Sequence, residues 1–88
     1  MSRRWQSVRC TNCHTAIVLL RRNVALARRI DSPDLEANAL HLLMTLELRQ
    51  QQWAAAAATA QACIAVNEAL GGLDEDAYTV LGEAQAQL

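Results

Sequence analysis

This chain has no phenylalanine and no lysine, and proline occurs once. Glycine occurs three times and aromatic residues make up 3%. So few breakers leave few places where a helix must stop, while the hydrophobic 52% is largely alanine and leucine, which are strong helix formers. The reading is all-α, in one small domain of 88 residues. Alanine buries little area, so the core is thin for its apolar fraction. A long hydrophobic run is missing too. Ala16–Leu20 is closed by Arg21 and Arg22, far short of the roughly 20 residues of a membrane span and too short for a signal-peptide core.

Acid is absent from the first thirty residues. Seven arginines precede Asp31, whereas Arg49 alone stands against nine acids after it, so a +7 head precedes a −8 tail. Two solvated faces account for this pattern, and so does pairing of head and tail within or between chains. The acid-free start is similar in composition to a mitochondrial transit peptide, but it also has a structural role as a helix. Three cysteines, an odd number, suit a reducing compartment without a disulfide framework, which places the chain in the cytoplasm.

Three breaks organise what is present. Ser32-Pro33 reads as an N-cap followed by proline at the first helical position, with Asp34 and Glu36 on the positive end of the dipole. Gly71 reads as a left-handed stop, and Asp74 as the cap of the next helix. Leu73 and Tyr78 take the two positions of a hydrophobic staple. Thr11-Asn12 suits the start of the first helix. A fourth break is placed at Arg49–Gln52 by repetition alone. Helices are therefore predicted at 12–30, 34–49, 52–70 and 74–88, after an N-terminal arm at 1–11 that is free to be disordered.

The second pair of helices echoes the first. Residues 13–30 lie over 53–70 at an offset of 40, each ending in a short break that holds an aspartate. Tyr78-Thr79-Val80-Leu81-Gly82 and Leu40-His41-Leu42-Leu43-Met44 carry a large residue, then leucine, then a small or flexible residue. Trp53, Ala56, Ala60 and Cys63 follow at the spacing of a partner helix. In these features the chain resembles the tetratricopeptide repeat (TPR) family over about residues 13–88, and in its longer spacing the repeats of bacterial signalling and transcription-regulator arrays. It departs from the family at Met44, at Ala60 and in the missing glycine and proline. The resemblance implies antiparallel helical hairpins of an α-solenoid and a non-catalytic module that binds a protein or peptide. It also implies a concave, partner-facing stripe at Asn38, His41, Thr45 and Arg49, continued by Asp76, Thr79, Glu83 and Gln87. One full repeat flanked by single helices cannot bury its own faces, so a longer array or self-association is expected.

The string Cys10-Thr11-Asn12-Cys13-His14 competes with this reading, because C-x-x-C-H is the attachment signature of c-type haem. His41 or Met44 would be the further ligand. At about 100° per residue, however, Cys13 shares a stripe with Ile17, Leu20, Val24 and Ala27, while His14 lines up with Arg21 and Arg28. A haem would then face guanidinium groups. Zinc at Cys10, Cys13 and His14 lacks a fourth ligand, and a redox pair lacks its βαβ setting. No cofactor or metal is expected. A nucleic-acid reading wants a basic domain with a recognition motif, and the net charge is −1. His14 and His41 are the bases near neutrality, with no nucleophile–base–orienter set, so no enzyme activity is expected. The chain is read instead as an interaction module, with a salt-sensitive self-assembly element as an alternative.

Overall fold

The computed structural model describes side chains from Cys13 to Leu88. Met1 and the side chains of residues 2–12, Trp5 and Cys10 among them, fall outside it, while the backbone of the expected arm at 1–11 is helical from Ser2 onward, so the first helix starts there and not at residue 12. The described residues form four helices and no strand: α1 (Ser2–Arg29), α2 (Pro33–Arg49), α3 (Trp53–Ala69) and α4 (Glu75–Gln87). The ends at the three connections lie within one residue of those expected from sequence. Among the described residues no helix is long and apolar enough to cross a membrane.

All three connections use one device. Ser32 N–H donates to Ala27 C=O at 2.9 Å, Gln52 to Glu47 at 2.9 Å and Gly72 to Asn67 at 2.8 Å. Just inside each lies a shorter-range bond, from Asp31 to Arg28, Gln51 to Leu48 and Gly71 to Glu68. These paired bonds are the Schellman closure of a helix C-terminus, which needs a left-handed residue at its corner. That residue is Asp31 (φ 55°), Gln51 (φ 59°) and Gly71 (φ 77°). The break with neither glycine nor proline is thus the same turn, built at Gln51 against its conformational preference.

The starts differ. Asp74 caps α4, its Oδ1 accepting from Asp76 N–H at 3.1 Å and Ala77 N–H at 3.4 Å. Ser32 sits at the N-cap of α2 with Pro33 after it, but its side chain makes no capping bond. With proline lacking an N–H and Asp34 and Glu36 in the first turn, α2 begins on fixed φ and charge. The expected staple of Leu73 and Tyr78 leaves both side chains largely exposed.

Each helix packs on the next, and α2 also touches α4. The core is a seam of large residues from α2 against small ones elsewhere. Leu40, Leu43 and Met44 are buried beside Ala56, Ala60 and Cys63 of α3, and Ala77, Val80 and Ala84 of α4 are buried with them. Alanine lets the backbones approach closely, which puts the polar side chains at the helix ends within reach of one another. On α1 the buried stripe is Ile17, Val24 and Ala27, as the spacing predicts, with Leu20 half-buried against it. Cys13 is half-buried and His14 exposed, so the two residues part onto different sides of the helix.

Candidate functional site

Two polar nodes tie the helices together, and both start from α2. The first is Glu47. It lies on the same stripe as Leu40, Leu43 and Met44 and is 2% exposed. Its carboxylate accepts from Arg21 Nη2 of α1 at 3.1 Å and from Thr59 Oγ1 of α3 at 2.6 Å. A buried carboxylate is tolerable only with such partners. A second α1–α2 clamp, Arg28 Nε to Glu36 Oε2 at 2.7 Å, sits nearer the turn.

The second node joins α2, α3 and α4 at Asp74. Its Oδ1 is spent on the cap, and its Oδ2 accepts from His41 Nδ1 at 2.7 Å and from Cys63 Sγ at 3.4 Å. Asn67 supports it from below, its Nδ2 donating to Cys63 C=O at 2.9 Å. Burial would raise the pKa of Asp74, but hydrogen bonds from His41 and Cys63, the His41 charge and the Ala77 N–H outweigh it and hold the carboxyl below its usual range. Burial is also the main reason that the Cys63 thiol is pushed up to about 12, reinforced by the Asp74 carboxylate against a smaller opposing bond from Asn67. Cys63 therefore stays a protonated donor inside the seam and is a poor nucleophile at neutral pH.

What remains open at this node is His41 Nε2, 3.8 Å from Asp76 Oδ2. His41, Asp74 and Asp76 together have the spacing of metal ligands. Both oxygens of Asp74 already serve the fold, so a cation there would have His41 Nε2 and Asp76 for protein ligands, with Asp74 orienting the ring from behind. No sequence pattern announces this meeting of His41, Cys63 and Asp74, because the residues lie 22 and 11 positions apart on three helices.

The stripe expected to face a partner is on the surface. Asn38, Arg49, Asp76, Thr79, Glu83 and Gln87 are exposed, and His41 and Thr45 are half-buried. Of these eight, the structure brings His41 and Asp76 together. Thr45 and Thr79 turn their hydroxyls back to their own helices, onto the carbonyls of His41 and Glu75. Asn38 also lines the edge of another feature.

That feature is an apolar groove of about 330 Å³ between α1 and α2, lined by Leu20, Leu26, Ala27, Ile30, Leu35, Ala39 and Leu42 with Asn23 and Asn38. Leu26, Ile30, Leu35 and Leu42 are each more than half exposed. The sequence carries a trace of it. Leu35 and Leu42 recur at seven residues off the core stripe of their helix, as do Leu19 and Leu26 on theirs.

Comparison with family models, with curated proteins and with solved structures gives no match to this chain.

Proposed function

We propose that the chain is a TPR-like protein-interaction module, a segment of helical-repeat scaffold of the kind used in regulatory and signalling arrays, which holds a protein or peptide partner along the polar faces of α2 and α4. The observation that carries this is the pairing of those two helices. α2 and α4 are in direct contact, His41 of the first stripe lies 3.8 Å from Asp76 of the second, and six of the eight stripe residues are exposed. Consecutive packing together with the contact between α2 and α4 is what stacked hairpins produce, and it supports the solenoid reading.

The combined face carries cation and anion in separate places, Arg49 at the end of α2 and Asp76 and Glu83 on α4. It therefore suits an extended segment bearing both signs of charge, docked by hydrogen bonds to side chains that the fold does not consume. Arg49→Glu and Glu83→Arg test this. Affinity capture from cells of the native host, quantified by mass spectrometry, is expected to lose the same specific partner with both variants, while thermal stability stays near wild type. An unchanged captured set with both variants overturns the reading.

A further inference from the structure

The two ends of this helix array fit each other. In α2, Leu40, Leu43 and Met44 are buried in the seam with α3. At an offset of 38 residues the same three positions in α4 are Tyr78, Leu81 and Gly82, and there Tyr78 and Gly82 are exposed and Leu81 is half-buried. The surface that α2 shows to α3 is thus shown by α4 to solvent. The converse holds at the other end. At an offset of 40 residues, Thr59, Cys63, Val66 and Leu70 of α3 correspond to Leu19, Asn23, Leu26 and Ile30 of α1. Thr59 and Cys63 bond to residues of the neighbouring helices, whereas Leu19, Leu26 and Ile30 stand 52%, 54% and 58% exposed. These three leucine and isoleucine side chains are larger and more apolar than Thr59 and Val66, the first two residues they correspond to. Leu26 and Ile30 line the α1–α2 groove.

Within the chain, the groove equivalent to that one is occupied. α2 lies against both α3 and α4, with His41 reaching Asp74 where those helices join. We infer that the α1–α2 groove receives α4 of a second copy of this chain, so that α4 of one copy and α1 of the next repeat the α2–α3 contact. This rests on the repeat reading above and names one partner for it. Charge favours the same pairing. The described part of α1 carries Arg21, Arg22, Arg28 and Arg29 and no acid, while α4 carries Glu75, Asp76 and Glu83 and no base. Arg22 and Arg29 have no ion pair among the described residues. Opposite net charge on the two surfaces steers their encounter, while the apolar groove supplies the contact. The contact joins different surfaces, so it is heterologous and adds copies end to end.

Gly82 makes the test clean, because a Cβ built there meets nothing within 4 Å. Gly82→Arg is therefore expected to leave the single copy folded while blocking the α4 surface. Leu26→Glu combined with Ile30→Glu changes exposed residues and blocks the groove. Sedimentation velocity of the 88-residue chain is expected to show concentration-dependent association for wild type and monomer for either variant alone. An equimolar mixture of the two variants keeps one intact surface of each kind and is expected to stop at a one-to-one dimer. A wild type that stays monomeric to millimolar concentration overturns the inference, and so does a mixture that forms no dimer or a Gly82→Arg variant that associates like wild type. A nuclear Overhauser contact between His41 and the start of α4 reports repeat packing inside one copy. Its presence in a monomeric wild type removes the docking and leaves the repeat reading standing, and its loss removes the repeat reading as well.

Discussion

Arg21 and Glu47 form an ion pair with unequal partners, and truncating them one at a time should give unequal costs. The Glu47 side chain is 2% exposed and that of Arg21 is 51% exposed. Arg21→Ala removes the guanidinium and leaves a buried carboxylate with Thr59 as its remaining partner. Leaving a buried charge without its counterion costs about 3–5 kcal/mol in a sealed site. Glu47 keeps its 2.6 Å bond to Thr59 and, with Arg21 and Thr59, lines a surface pocket, so about 2–3 kcal/mol is the expected loss here. Glu47→Met removes the buried partner instead. Arg21 then hydrates where it stands, Thr59 turns its hydroxyl to its own helix, and methionine fills a similar volume in an apolar seam. The expected change is about 1 kcal/mol or less in either direction. Urea denaturation followed by circular dichroism measures both, with the double variant closing the cycle. The same samples must have equal m-values for the comparison to hold. If Glu47→Met costs more than Arg21→Ala, the node is a net source of stability and the desolvation argument fails.

Three further outcomes follow from the turns and the second node. Gln51→Gly relieves a left-handed glutamine at φ 59° and should stabilise the fold by about 0.5–1 kcal/mol, whereas Gly71→Ala, at φ 77°, should lose about 1 kcal/mol; both are read from denaturation midpoints. Cys63 holds its proton more tightly folded than unfolded, so its contribution is complete below pH 9 and is lost as pH rises toward about 12. Stability measured across that range should fall for wild type and stay flatter for Cys63→Ala. Asp74 is shifted the other way, so its contribution is present above its ordinary pKa of 3.8 and is lost as pH falls below it. Asp74→Asn should weaken the fold at neutral pH and flatten the acid limb of the stability profile.

Much of the fold is legible in the chain because it is local. The all-α class, the helix ends at the three connections, Pro33 at a helix start and Asp74 as a cap follow from propensity and capping chemistry acting over four or five residues. The core stripe of α1 follows from periodicity, and so does the parting of Cys13 from His14. The stop at Gln51 was legible through repetition alone, since its side chain gives no reason to adopt positive φ. Glu47 left a signal that is easy to pass over, an acid on an apolar stripe.

Sequence by itself therefore determined the helices, their order and their apolar faces, because each depends on neighbours along one helix. Only the tertiary structure decided which faces are covered. Exposure of Leu26 and Ile30 against burial of Ala56 and Ala60 is a matter of where the next helix lies, not of side-chain character. The nodes at Glu47 and Asp74 were decided the same way. A carboxylate finds its partners across helices only after the alanine seam has drawn three backbones within reach, and no spacing within one helix encodes that distance.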